Sequence, residues 1–172
     1  MAVHSKIVRE KNSVMQAFSA LWSSHPTIKG DAPLLDRAVY DNQCAINVSA
    51  AWLRSGMNFP GYTGVLSWEK DKPKYPIRAQ ELANWFASPH SHLRAVEKFG
   101  GKKAFDAIRG RTGIIFFQNY WGDGNQGDHI DLWNGTRLTD WTSWLRIQAG
   151  ISIPGFWSDF KQSESVWMWQ IP

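Results

Sequence analysis

The chain has 172 residues and a formal net charge of +4, with 43% apolar and 20% charged residues. This balance excludes a disordered chain, and the length predicts one domain over residues 1–172. The sequence has no long Lys/Arg run, no apolar run of membrane-spanning length, and no apolar core of a secretory signal in its charged first residues. Nucleic-acid binding and membrane insertion are therefore not expected.

Helical patterns come first along the chain. Apolar residues recur at helical spacing in Ser13–Trp22, and a second helix is predicted for Cys44–Arg54. The second helix is apolar on two sides, so we expect it to be buried. A proline-containing loop at 58–76 follows, and then two shorter helices are predicted for Arg78–Phe86 and Lys102–Ile108.

Strand patterns dominate the last third. The stretch GIIFFQN at 113–119 contains four consecutive large apolar residues, which is typical of a buried strand. In GDHIDLWNGTRLTD, at 127–140, polar and apolar residues alternate from His129 up to Trp133, and VWMWQI at 166–171 predicts a closing strand. Residues 141–147 are ambiguous, and 151–165 are predicted to be irregular. Helices followed by antiparallel strands indicate an α+β fold.

A histidine between two aspartates makes the stretch 127–140 a candidate for chemistry. Asn134-Gly135 is a strong signal for a two-residue hairpin turn, which would place His129 directly opposite Asp140. Opposed Cβ atoms lie about 4.5–5.5 Å apart. Asp140 could then orient the imidazole and leave its other nitrogen free for proton transfer. Asp131 shares this face diagonally and is the second choice. The alternative is a surface contact without chemistry.

The single cysteine, Cys44, lies in the first turn of its predicted helix. Free N–H groups and the positive end of the helix dipole favour a thiolate there, and the same N–H groups can stabilise an oxyanion. Asn42 is either a cap of this helix or a side-chain donor to the oxyanion. One thiol with a His–Asp pair elsewhere predicts a nucleophile site, while a buried structural cysteine is the alternative. Asp131 and Trp133 are further candidates for substrate contacts.

Four stretches together resemble the type VI secretion amidase effectors of family 4. They are NQCAI before a helix ending in Ser-Gly, GIIFF, GDHIDLWNG with an aspartate eleven residues beyond the histidine, and the aromatic strand before the final proline. The resemblance implies a compact papain-like, NlpC-type fold, with the nucleophile at the start of a buried helix packed on an antiparallel sheet. It also implies that Cys44 is the nucleophile, His129 the base and Asp140 the orienting acid.

The same resemblance implies the substrate and the partners. Members pass through the type VI secretion apparatus into the periplasm of rival Gram-negative cells. There they cut the γ-D-glutamyl–meso-diaminopimelate amide of peptidoglycan stem peptides. A cognate immunity protein is implied as a partner. No cofactor or metal is expected, because His90 and His92 lack a third ligand near them in the sequence.

Two other functions stay open at this stage. The first is a related peptidoglycan amidase that cuts a different bond, such as an N-acetylmuramoyl-alanine amidase or a phage-type endopeptidase. The second is a glycan-binding module without catalysis, which the eleven tryptophans suggest. Tryptophans also fill protein cores, and that explanation of their number is favoured.

Overall fold

The computed structural model describes residues 17–121, 127–140 and 163–172. None of the helices in these ranges is long and apolar enough to cross a bilayer. The elements in chain order are helix α1 (17–24), α2 (Pro26–Lys29), α3 (Cys44–Arg54), α4 (Ala79–Phe86), a 3₁₀ turn (Pro89–Ser91), β1 (Glu97–Phe99), α5 (Gly101–Ile108), β2 (Gly113–Trp121), β3 (Gly127–Trp133) and β4 (Ser165–Gln170).

The strands form one antiparallel sheet in the order β1-β4-β2-β3. Strand β2 lies inside the sheet, between β4 and β3, and its apolar run is buried on both faces. Side chains of one parity, such as Ile114 and Phe116, face a core shared with α3 and α4. Those of the other parity, such as Ile115 and Phe117, face a second core shared with α5. The prediction of an α+β fold with a buried central strand is confirmed.

Helix α3 is buried on two sides, as its apolar pattern predicts. One side packs against the sheet through residues such as Val48 and Trp52. The other side packs through Ile46 and Ala50 against the chain segments before and after it. Because α3 also contacts β3, its first residue lies close to the strand that carries the candidate histidine. The packing of α3 thus places its first residue beside β3.

The other predicted helices and strands agree with the structure within one or two residues over the described ranges, but the second hairpin strand expected after Asn134-Gly135 is reduced to the isolated pairing of Trp133 with Leu138. The sequence patterns also do not predict α2, the 3₁₀ turn or the edge strand β1. That three-residue edge strand has no apolar pattern in its sequence Glu-Lys-Phe, and only pairing with β4 reveals it. The chain is helical from 17 to 24, whereas 13–16 of the first predicted helix lie outside the described residues. The predictions for 141–147 and for 151–162 also fall outside them.

Gly113 is required where β2 pairs with β4. A Cβ atom at this position would lie 2.1 Å from the carbonyl oxygen of Trp169, which is backbone and cannot turn away. We expect Gly113→Ala to lower the free energy of unfolding by about 1–3 kcal/mol, because the two strands would have to separate. Gly100→Ala is the matched control, since a Cβ there meets nothing within 4 Å. Urea unfolding of both variants measures the difference, and equal midpoints would contradict the prediction.

Candidate active site

Cys44 is the first residue of α3, and two side chains hold the chain that leads to it. The buried Gln43 amide donates to the carbonyl of Leu35 at 2.6 Å and accepts from the N–H of Leu34 at 3.1 Å. The Asn42 side-chain oxygen accepts the N–H of Cys44 itself at 3.2 Å. The thiol is partly exposed. No pattern in the sequence indicates this role of Gln43, because its partners lie three to nine residues earlier in an irregular segment.

The prediction of a two-residue turn after β3 is wrong. Trp133 pairs with Leu138 and not with Thr136, so the loop contains four residues. The side-chain oxygen of Asn134 accepts the N–H groups of Thr136 and Arg137 at 3.1 and 2.9 Å. These bonds satisfy the loop backbone locally, and Gly135 supplies the positive φ of 98°. The turn residues were recognised correctly, but the Asn134 side chain lengthens the loop.

This register changes which carboxylate meets His129. The pairing that would have set His129 opposite Asp140 does not form, and Asp131 is instead the carboxylate near the ring. His129 Nε2 lies 3.8 Å from Asp131 Oδ2. Asp140 is exposed and lines the same cavity as Cys44 and His129. The structure thus brings all four side chains to one cavity and puts the second-choice acid beside the imidazole.

The Asp131 carboxylate is almost completely buried, with 4% of the residue exposed. Its Oδ1 atom accepts the hydroxyl of Thr139 at 2.5 Å and the N–H of Leu132 at 2.7 Å. Burial by itself raises the pKa of Asp131, but the contact with His129, the electrostatic effects of the nearby His25 and His129 rings, and the Thr139 hydroxyl outweigh it and lower the pKa. Asp131 is therefore an anion at neutral pH.

His129 lies between this anion and the thiol, and its side chain is 23% exposed. Burial lowers the pKa of the ring, but side-chain contacts with Asp131 and Cys44 and their charges outweigh it and raise the pKa to about 10. The imidazole is therefore protonated at neutral pH. A protonated ring beside a cysteine favours the thiolate, which is the nucleophilic form.

A second histidine, His25, contacts the other oxygen of Asp131. His25 Nε2 lies 3.6 Å from Asp131 Oδ1, and the residue is only 2% exposed. Sequence analysis missed His25. The motif Ser-His-Pro-Thr contains a signal for a helix start, because proline favours the first turn of a helix. It contains no signal for a contact with a strand about a hundred residues later.

Cys44 lies between two cavities that both include Asn42. One has a volume of about 320 Å³ and is lined by side chains that include Arg37 and Asp140. The other has a volume of about 450 Å³ and is lined by side chains that include Arg78 and Asp128. Cys44 is therefore accessible from both cavities. No group of side chains within 17–121, 127–140 and 163–172 could hold a metal ion.

The structure removes Trp133 from the candidates for substrate contact. Its indole is 2% exposed, packs against Phe105 and donates to the carbonyl of Ile108 at 3.0 Å. A side chain enclosed in the second core cannot reach a ligand. Asn42, in contrast, is exposed and lines both cavities. Its side-chain oxygen accepts the Cys44 N–H from one position before the N-cap residue, which is Gln43, so the bond occupies a donor of the helix start in place of an oxyanion.

The raised pKa of His129 predicts a stability that depends on pH. The pKa is about 10 in the folded chain and ordinarily 6.5, so the folded state keeps a proton that the unfolded state releases. The resulting stabilisation is complete below pH 6.5 and is lost as pH rises through 10. We expect the free energy of unfolding to fall more steeply between pH 7 and pH 10 for wild type than for His129→Gln. Urea midpoints measured in pH steps check this, and parallel curves would contradict it.

A family model describes the same region of the chain. The model of type VI secretion system amidase effector protein 4, Tae4, matches residues 40–169. The chain belongs to this family. The match includes Cys44, His129, Asp131 and Asp140. No curated protein matches the chain.

Solved structures of the family share the fold. The effector Tae4 of Enterobacter cloacae is similar with a TM-score of 0.64 and 18% identity, over 91% of this chain and 96% of that chain. The same effector in its complex with Tai4, described as an effector–immunity complex, is similar with a TM-score of 0.62 and 19% identity. The similarity covers 91% of this chain and 98% of that chain. Tae4 of Salmonella typhimurium with Tai4 is similar with a TM-score of 0.58 and 18% identity, over 94% of this chain and 97% of that chain. The predictions of the family and of its papain-like, NlpC-type fold are confirmed.

Proposed function

We propose that the chain is one domain, over residues 1–172, that hydrolyses the γ-D-glutamyl–meso-diaminopimelate amide of peptidoglycan stem peptides by a cysteine mechanism. The observation that carries the mechanism is the position of His129, which contacts both the Cys44 thiol and the buried Asp131 anion at an open cleft. Membership of the amidase effector family supports amide hydrolysis. The particular bond follows from the family resemblance.

Before the first half of the reaction, the protonated His129 ring already holds the proton that the Cys44 thiol gives up. The thiolate sulfur attacks the carbonyl carbon of the amide and forms a C–S bond, and the carbonyl oxygen becomes an anion. Collapse of this intermediate breaks the C–N bond, and His129 returns the proton to the leaving amine. Since Nε2 faces Asp131, Nδ1 is the nitrogen available to the thiol. Water then hydrolyses the thioester in the reverse sequence and restores the thiol.

The start of α3 would stabilise the oxyanion. The Asn42 side-chain oxygen accepts a hydrogen bond from the Cys44 N–H. Asn42 is exposed, so it can turn away when a substrate carbonyl approaches and release that N–H group. A backbone donor at a helix start is well placed for a charge that develops on the attacked oxygen.

The charged residues on each side of Cys44 suit a substrate with several carboxylates. Arg37 is exposed in the cavity beside His129, and Arg78 is exposed in the cavity on the other side of the thiol. Stem peptides have a carboxylate on the glutamyl residue and others on diaminopimelate. We assign one arginine to each side of the cut amide. The exposed guanidinium groups would act mainly by attraction and orientation.

We further propose the biological setting that the family resemblance implies. The chain would leave its producer through the type VI secretion apparatus and act in the periplasm of a Gram-negative target. A cognate immunity protein would block the cleft around Cys44. Support for such a partner comes from the solved relatives, two of which are effector–immunity complexes of Tae4 with Tai4.

A glycan-binding module without catalysis is less favoured by the arrangement of tryptophans. Where burial is described, most of the indoles lie in the core, whereas Trp68 is 59% exposed. Glycan binding does not require a thiol, an imidazole and a buried carboxylate at one cleft. The core tryptophans are Trp52, Trp85, Trp133, Trp167 and Trp169.

One digestion tests both the reaction and the bond. Gram-negative peptidoglycan is incubated with wild type and with Cys44→Ala, and the released fragments are identified by mass spectrometry. We expect new amino ends at diaminopimelate with wild type only. Cleavage of a different amide would reject the proposed specificity and keep the cysteine mechanism. The absence of fragments from folded wild-type protein would reject the proposed function.

A further inference from the structure

His25 lies between α1 and α2 and is bonded on one side of its ring. Its Nδ1 accepts the N–H of Thr27 at 3.3 Å, so the ring caps α2. A nitrogen that accepts a hydrogen bond carries no proton. Burial, the largest influence, lowers the pKa of His25, so the ring is neutral at neutral pH. In a neutral ring whose Nδ1 is unprotonated, the single proton lies on Nε2.

The proton on His25 Nε2 points to the acid of the candidate site. Among the described residues Nε2 has no hydrogen-bond partner, and Asp131 Oδ1 lies 3.6 Å away, just beyond hydrogen-bond length. The same oxygen accepts the Thr139 hydroxyl and the Leu132 N–H. Oδ1 therefore accepts two hydrogen bonds, from β3 and from the segment after it, and His25 Nε2 approaches the same oxygen from the turn between α1 and α2. The other oxygen, Oδ2, is the one that faces His129.

We propose that His25 is a positioning residue for the hydrolysis: its Nε2–H holds Asp131 Oδ1 and so keeps Oδ2 directed at His129. The inference rests on the proposed function, since it gives His25 a role in orienting the base of that reaction. His25 itself does not touch the thiol or the amide. It fixes the rotation of the carboxylate, and the carboxylate fixes the imidazole.

The other charges around His25 keep it in the donor form. Asp131 and Asp31 favour its protonation, whereas His129 and Arg54 oppose it. Arg54 and Asp31 form an ion pair at 2.7 Å, so their effects on His25 largely offset each other. The protonated His129 ring lies on the other side of Asp131. Burial and this second positive charge leave His25 neutral while His129 carries the proton.

Two substitutions separate the cap of α2 from the contact with Asp131. His25→Asn places a good capping oxygen near the Thr27 N–H and removes the group that reaches Asp131. His25→Gln has the longer side chain and can place an N–H group near the position of Nε2. We expect His25→Asn to lower kcat by about 10- to 100-fold with KM changed less than about twofold, because a misplaced base slows the chemical step. His25→Gln should recover part of the loss.

The pKa of His129 provides a second measurement, which changes if Asp131 is misplaced but not if His25→Asn only lowers the stability of the fold. When Asp131 turns away from His129, the pKa of His129 falls towards its ordinary value. The upper limb of the pH–rate profile should then move to lower pH in His25→Asn, and the nuclear magnetic resonance titration of His129 should move with it. A folded His25→Asn protein with wild-type kcat and an unchanged His129 titration would overturn the inference.

A measurement on wild type keeps the inference testable if the variants fail to fold. The ¹⁵N shifts of His25 should show a proton on Nε2 and none on Nδ1 from pH 6 to pH 8. A proton on Nδ1 would overturn the inference, because Nε2 could not then donate to Asp131. Peptidoglycan that stays intact with wild type would instead reject the proposed function, while the titration and the ¹⁵N shifts still decide the role of His25.

Discussion

Hydrolysis by His129→Ala is expected to be about 10³- to 10⁴-fold slower than by wild type at neutral pH. In wild type the imidazole holds the thiol proton and returns it to the leaving amine, and His129→Ala removes both functions. The measurement is kcat/KM on a soluble stem-peptide fragment with the same amide. His90→Ala is the matched control, because His90 is exposed and lies outside both cavities around Cys44. The control should keep wild-type activity.

The same variant should also change the reactivity of the thiol before any substrate is present. A thiolate beside a protonated imidazole reacts with iodoacetamide at neutral pH, whereas a neutral thiol reacts slowly. We expect alkylation of Cys44 in His129→Ala to be slower than in wild type and to recover as pH rises above the ordinary range of a thiol. Equal alkylation rates at pH 7 would contradict the pairing of Cys44 with His129. The chain has one cysteine, so the label reports on Cys44 alone.

Asp131→Asn is expected to lower kcat/KM by about 10²- to 10⁴-fold, the range found when the acid that orients a catalytic histidine loses its charge. The substitution keeps the shape of a side chain that is 4% exposed, but it removes the anion that stabilises the protonated ring. The pKa of His129, about 10 in wild type, should fall, and the alkaline limb of the pH–rate profile should move to lower pH. Kinetics across pH 6 to 11 check both effects.

A companion variant, Asp140→Asn, distinguishes the two acids. Asp140 is exposed at the cleft and is the orienting acid by family resemblance, whereas Asp131 lies 3.8 Å from the His129 ring. From this geometry we expect Asp140→Asn to cost about tenfold or less. A larger loss for Asp140→Asn than for Asp131→Asn would return the orienting role to Asp140. Asp106→Asn, whose carboxylate lies on the exposed surface of α5, controls for the loss of one negative charge.

The fold explains why these groups meet with little freedom to move. Cys44 starts a helix that is buried on two sides, and Gln43 ties the preceding chain to Leu35. His129 and Asp131 lie on a strand paired with the most buried strand of the sheet. Regular elements hold catalytic side chains more accurately than loops do, and here both principal side chains lie on such elements.

Elements with a strong period or a run of apolar residues could be predicted from the amino-acid sequence alone. Burial stabilises these elements, and three patterns in the sequence indicate it. They are the two-sided apolar pattern of Cys44–Arg54, the apolar run of β2 and the alternation in β3. Cys44 and His129 were also identifiable, because a single thiol at a helix start and a histidine on an alternating strand are local features. The family resemblance was contained in the same short stretches.

Which groups surround His129 could not be predicted from the sequence, because it depends on how distant elements pack together. The turn length depended on whether the Asn134 side chain bonds the loop backbone, and two extra loop residues were enough to change the pairing of Asp140. His25 reaches Asp131 across about a hundred residues, through the packing of α2 against α3 and of α3 against β3. Local patterns indicate which residues are buried. Whether two groups form a hydrogen-bonded contact depends on differences of a few tenths of an ångström in the distance between their elements. Those distances are set by packing of the whole core, and no short stretch contains them.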